Sequence, residues 1–147
     1  MKKRYIVAFI VIVLLAFTSP LFYLWISDFA YTMQEKKYYS EIDNFITDEA
    51  VVTNIIYNEK NNSVILWLSD IDKAYQDSTF KVNSANTDIL FENGFFDNVK
   101  KGDKITYISA PGYFGDGYIM PIVALNKDNE SFLTFSAGYE NLMSQYN

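Results

Sequence analysis

Residues 5–26 (YIVAFIVIVLLAFTSPLFYLWI) run for 22 positions without a charge. At about 1.5 Å of rise per residue the stretch makes roughly 33 Å of helix, enough for a hydrocarbon core about 30 Å thick. Lys2, Lys3 and Arg4 precede it, and Asp28 is the first charge after it. The positive-inside rule therefore predicts a cytoplasmic N-terminus and a C-terminal part outside. Tyr5 at one end, with Phe22, Tyr23 and Trp25 at the other, suits the aromatic belts of the two interfaces. Pro20 predicts a kink late in the segment, which membrane helices tolerate when the freed carbonyl finds a partner.

A cleaved signal peptide is the competing reading. The basic start fits it, but no A-x-A-like site follows and the apolar stretch outruns a 7–15 residue h-region. The expectation is a tip and transmembrane signal anchor over 1–27, a helical stalk over 28–46, and a β-rich domain over 47–147 outside the cytoplasm. The protein is then single-pass in the cell membrane, with the bilayer held through residues 5–26. Secretion after cleavage is the alternative.

Composition narrows the chemistry of the part outside. All 18 acidic residues lie beyond the apolar run, and with nine lysines they leave residues 28–147 at −9. A domain of that charge, whose chain has Arg4 as its one arginine, repels polyanions, so nucleic acid is not an expected partner. There is no histidine and no cysteine. That removes the commonest general base, disulfides and thiolate metal sites. Abundant Lys, Asn and Ile fit an AT-rich bacterial genome.

Over 28–46 a loose 3.6-residue stripe of Met33, Lys37, Tyr38, Glu41, Ile42 and Phe45 predicts helix, with Met33, Tyr38, Ile42 and Phe45 as its apolar members. Strands follow at Ala50–Tyr57 and Ser63–Ser69, joined by the polar connector Asn58–Asn62. In the second strand Val64, Leu66 and Leu68 face one way and Ile65 and Trp67 the other. Both faces are apolar, which predicts a covered outer face and a buried Trp67. Asp70–Asp77 is a polar loop and Thr79–Val82 a third strand. Thr87–Asn93 has an N-cap residue at its start and Asn93-Gly94 at its end, the signature of a short helix. Lys104–Ala110 and Ile119–Leu125 make the fourth and fifth strands. Ser131–Phe135 adds a hairpin strand and Ala137–Tyr146 a closing helix.

Three strands, a short helix and two further strands is the order of an OB-like five-stranded barrel. The expected fold class is thus a single N-terminal transmembrane helix plus a small β-rich domain, all-β or α+β, with the OB-like barrel as its form.

No catalytic residue is assigned. A Ser–Lys dyad or a carboxylate pair is the chemistry left to such a chain. The S-x-M-x-P motif of membrane-anchored Ser–Lys signal peptidases is absent, since Tyr118 precedes Met120-Pro121 with no serine in register. Asp70, Asp72 and Asp77 fail the EF-hand pattern, because Ala74 and Tyr75 fall where a ligand and a glycine are needed. No metal and no cofactor are expected. The loop Pro111–Tyr118 (PGYFGDGY) is the most distinctive segment, and in an OB-like barrel it joins the fourth and fifth strands, where ligands are held. Tyr113, Phe114, Asp116 and Tyr118 are therefore the candidate ligand or partner contacts. The expected function is a non-enzymatic binding or accessory module of the bacterial cell envelope, its partner a protein, peptide or glycan. The alternatives are an anchored hydrolase of Ser–Lys or carboxylate type and a purely structural subunit of a membrane complex.

Overall fold

The computed structural model describes Pro20, residues 23–111 and residues 119–147. The expected anchor over 5–26 falls largely outside these residues, as do Tyr113, Phe114, Asp116 and Tyr118. Among the described residues no helix is long and apolar enough to cross a membrane. The chain divides into two compact units, Met1–Gln34 and Glu35–Asn147. In the first unit the described part is helical, and Tyr23, Trp25 and Phe29 are 74%, 65% and 59% exposed.

The second unit is built on a closed five-stranded mixed barrel. Its strands are β1 (Ile46–Asn58), β2 (Ser63–Ser69), β3 (Thr79–Val82), β4 (Lys104–Ser109) and β5 (Ile119–Lys127), with β6 (Glu130–Leu133) added on β5. β1 serves two neighbours. Its first half pairs antiparallel with β4, from Ile46↔Ser109 to Val51↔Lys104, and its second half with β2, from Val51↔Ser69 to Asn58↔Ser63. The register slips between Val52 and Asn54, and a bulge of this kind bends and twists a strand enough to turn a barrel corner. β2 pairs antiparallel with β3, and parallel pairing of β3 with β5 closes the ring.

Period-two alternation sends Val64 and Leu66 of β2, Phe80 and Val82 of β3, and Ile105 and Tyr107 of β4 into the interior, each at most 1% exposed. The Phe80 and Tyr107 rings meet edge to face at 5.3 Å. β5 is buried on both sides from Ile122 to Leu125. One side faces the barrel interior and the other faces a C-terminal helix.

The helix over 23–40 (α1) gives residues 35–40 to this unit. α2 (Ser84–Glu92) and the single turn α3 (Phe95–Asn98) lie between β3 and β4, and α4 (Phe135–Ser144) follows β6. α2 and α3 meet at Gly94, whose φ of 70° favours glycine. α4 lies so close to β5 that a Cβ built on Gly138 would stand 2.0 Å from the Val123 carbonyl oxygen. The buried Asn86 locks this approach. Its Nδ2 donates to the Gly138 carbonyl (3.2 Å) and its Oδ1 accepts from Asn141 Nδ2 (2.9 Å). A second apolar cluster, of Tyr39, Ala110, Val123 and Leu142, joins the end of α1 to β5 and α4.

The order of elements is the expected one, including the helix between the third and fourth strands and the closing strand and helix. Four details differ. Trp67 is not buried but 56% exposed, because among the described residues no helix covers the outer face of β2 there; the strand covered on both faces is β5. The stripe expected over 28–46 forms in part: Tyr38 and Phe45 pack against the second cluster, whereas Met33 and Ile42 are 51% and 58% exposed and Tyr39 is the buried residue. The reason is that α1 ends at residue 40 and a 3₁₀ turn takes Ile42–Asn44, so helical spacing does not reach Ile42. β1 starts at Ile46 rather than Ala50, because main-chain pairing with β4 extends it through the polar Thr47, Asp48 and Glu49. The α2 cap is Asn83, whose Oδ1 accepts from Asn86 N–H, whereas Thr87 sits buried inside the helix.

Candidate functional site

Cross-strand register places a row of side chains on the outer barrel face: Ile56 opposite Ile65, Ile65 opposite Lys81, and Lys81 opposite Pro121. A second row holds Asn54 opposite Trp67 and, on the neighbouring strands, Thr79 opposite Ile119. At about 4.8 Å between strands the rows run roughly 14 Å across the face. Trp67 (56%), Ile119 (47%) and Ile56 (37%) stand exposed on it. Lys81 is its one charged member.

Beyond the β3–β5 seam the face drops into a cleft of about 250 Å³. Tyr39, Leu142, Ile119 and Pro121 form its apolar walls, and Glu35, Lys81, Asn83, Gln145 and Tyr146 bring polar groups to it. Tyr146 Oη donates to Glu35 Oε2 at 3.2 Å, and the Tyr39 and Tyr146 rings lie 6.1 Å apart. Lys36 Nζ donates to the Tyr146 carbonyl at 3.0 Å and so ties down the C-terminal turn. A second hollow of about 240 Å³ is lined by Leu66, Trp67, Leu68 and Ile71 and by residues 76–80, so it reaches inward-facing side chains of β2 and β3 as well as Trp67. Thr79, which lines this hollow, pairs with Ile119, which lines the cleft.

Burial raises the Tyr39 and Tyr146 phenols well above the ordinary value of 10.0, with the Glu35 charge adding to the effect. Tyr107 is raised likewise by burial and by Asp48. The native state thus holds these protons more tightly than the unfolded chain does. The stability so gained is whole below pH 10.0 and is lost as the pH rises above it. Phenolate absorbance of the native protein is expected to show these three tyrosines still protonated past pH 10.0 and ionising only with alkaline unfolding. Titration of every tyrosine near 10.0 with the fold intact would contradict this burial.

No family model, curated protein or solved structure matches this chain. Its chemistry is therefore read from the face itself.

Among the described residues no group of three or more Asp or Glu side chains is placed to hold a metal ion. Asp72 has a local role, its Oδ1 accepting from Ala74 N–H at the start of the 3₁₀ turn Lys73–Tyr75. What the face offers is contact area together with hydrogen-bonding groups. An exposed indole on a rigid strand gives large contact at small entropic cost, and the hollows beside it supply directional polar groups.

The site residues expected from sequence, Tyr113, Phe114, Asp116 and Tyr118, lie outside the described residues. The ends of their loop are described. Pro111 accepts a hydrogen bond on its carbonyl from Tyr38 Oη, and Ile119 lines the cleft. Trp67, Ile65, Lys81, Tyr39, Glu35 and Tyr146 are not among the residues that the sequence singles out for a site. One signal was present: a strand apolar on both faces buries one of them in a barrel, and the other is then left for a neighbour or a ligand.

Proposed function

We propose that this chain is a membrane-anchored, non-enzymatic binding module of the bacterial cell envelope, with its barrel outside the cytoplasm. Its ligand, a protein, peptide or glycan, sits on the outer face of β2, β3 and β5. The barrel is OB-like in this reading: the strand–strand–strand–helix–strand–strand order and the parallel β3–β5 closure support it. The uncharged run over 5–26 and the basic residues before it support the anchor and its orientation. The observation that carries the function is the exposed Trp67 on the outer face of β2, at the rim of a hollow of about 240 Å³. Solvent-exposed Trp on a rigid strand costs hydrophobic free energy that contact with a ligand would recover.

Trp67→Ala in the full chain separates this role from a structural one. A surface change should leave thermal unfolding within about 0.5 kcal/mol of wild type. Loss of a hot-spot aromatic should weaken retention of the partner in native membranes by about 2 kcal/mol, roughly 30-fold. Unaltered recovery of every cross-linked partner would end the proposal.

A further inference from the structure

We infer that this chain pairs with a second copy of itself, strand to strand, through the free edge of the second half of β1. Alternation along an antiparallel ladder decides which main-chain groups are free. Val52 N–H donates to the Asp103 carbonyl and the Val52 carbonyl accepts from Gly102 N–H, on the β4 side. In the first half Ala50 and Asp48 therefore turn toward β4, and Glu49 and Thr47 turn away. Past the bulge β1 is paired with β2 alone. There Asn54 Oδ1 accepts from the Ile55 N–H at 3.0 Å, a stand-in from the same strand. Ile55 and, two residues on, Tyr57 thus face away from β2. Among the described residues no other group bonds this edge. A row of unpaired N–H and C=O groups is a template for one more strand.

The two halves of the edge are defended differently. The first carries Asp48 and Glu49, and charges of this kind keep foreign strands off. Glu49 is held there by Lys104, and its N–H is bonded by Asp48 Oδ1 at 2.8 Å. The second half, residues 53–58 (TNIIYN), has no charge and no proline and is rich in β-branched side chains. Residues 28–147 carry −9, yet none of that charge lies on this stretch. The edge therefore offers nothing that selects a partner of opposite sign. What it offers is complementarity to itself.

An antiparallel register with its two-fold axis at Ile56 lets Ile55 exchange N–H and C=O bonds with the partner's Tyr57, and Tyr57 with the partner's Ile55. In that register Ile56 lies opposite the partner's Ile56, and Asn54 opposite the partner's Asn58. Apolar thus meets apolar and amide meets amide. Thr53 meets the partner's Glu59, so no like charges face each other. The seam also covers apolar surface that a lone copy leaves in water. Ile56 and Tyr57 are 37% and 38% exposed. On the inner side Tyr57 stands against Phe91 and Phe96, with ring centroids 5.1 and 6.1 Å away, and Phe91 is itself 48% exposed. Residues directly opposite in a sheet share a face, so the outer faces bearing Trp67 come to lie on the same side of the joined sheet. The dimer is then a bivalent form of the binding module.

The chain has no cysteine, so single cysteines in the full-length protein report this register. The pairs at Ile56 and at Asn54 with Asn58 are of the type without mutual hydrogen bonds, about 4.5 Å between Cα atoms, within the span of a disulfide. Under mild oxidation in detergent, Ile56→Cys should link into a covalent dimer. Asn54→Cys alone should not, whereas Asn54→Cys mixed with Asn58→Cys should. Without oxidation the wild type should sediment as a concentration-dependent dimer that salt tightens, because salt screens the repulsion between two copies at −9. Ile56→Lys sets like charges opposite each other and should sediment as a monomer with the wild-type melt. A wild type that stays monomeric at every concentration overturns the inference. So does Asn54→Cys linking as readily as Ile56→Cys, or a dimer that Ile56→Lys leaves intact, since the copies then meet elsewhere. If the copies do not link while Ile56→Lys loses a partner from native membranes, the edge belongs to a foreign strand and the second copy falls. Should Ile56→Lys unfold, the cysteine pattern decides alone.

Discussion

Gly138→Ala is expected to destabilise the domain by about 3 kcal/mol, although alanine is the better helix former by about 1 kcal/mol. The added methyl would stand 2.0 Å from the Val123 carbonyl oxygen and 2.7 Å from its carbon, both main-chain atoms of the central strand β5. A strand held by β4, β3 and β6 does not yield, so α4 has to move. Moving it pulls the Gly138 carbonyl off Asn86 Nδ2 and leaves a buried amide without its partner, a cost of about 1–3 kcal/mol in itself. Overpacking and the lost hydrogen bond act together and outweigh propensity. Urea unfolding of the full chain, read by circular dichroism of the barrel, measures this. A variant within about 0.5 kcal/mol of wild type would show that α4 is not seated as described.

Phe80→Ala should cost about 3–5 kcal/mol, the usual range for emptying a Phe site in a core. Phe80 is 1% exposed and its ring meets Tyr107 edge to face inside the barrel. Its neighbour on the same strand, Lys81, faces outward. The same denaturation experiment separates the two sides of the wall: Phe80→Ala shifts the midpoint strongly, and Lys81→Met hardly at all. A small effect of Phe80→Ala would mean that β3 does not close the ring through its parallel pairing with β5, since that register sets Phe80 inward.

The order of strands and helices was legible because it depends on local signals. β-branched runs, polar connectors and Asn93-Gly94 mark element ends in a few residues each. The face of each element was less legible, because it depends on what packs against it from far along the chain. Trp67 and Val123 both lie on strands apolar on both faces. α4 covers Val123, whereas Trp67 stays 56% exposed, and the seating of α4 is decided by Gly138 and Asn86, far away in sequence. The same holds for the N-terminal side of the barrel. Tyr39 became a core residue through Leu142 and Tyr146 at the other end of the chain. The cleft could not be assembled from sequence for that reason. Glu35, Lys81 and Tyr146 share no local motif, and chain closure alone brings them together.

The site stands or falls on whether Trp67 faces solvent. In the full-length Trp25→Phe chain, acrylamide quenching of the remaining indole measures that directly. Trp67, 56% exposed on β2, should emit as an indole in water and be quenched readily while the domain is fully folded. Emission shifted to the blue and shielded from the quencher, in the isolated protein without ligand, would contradict the open face and with it the proposed function.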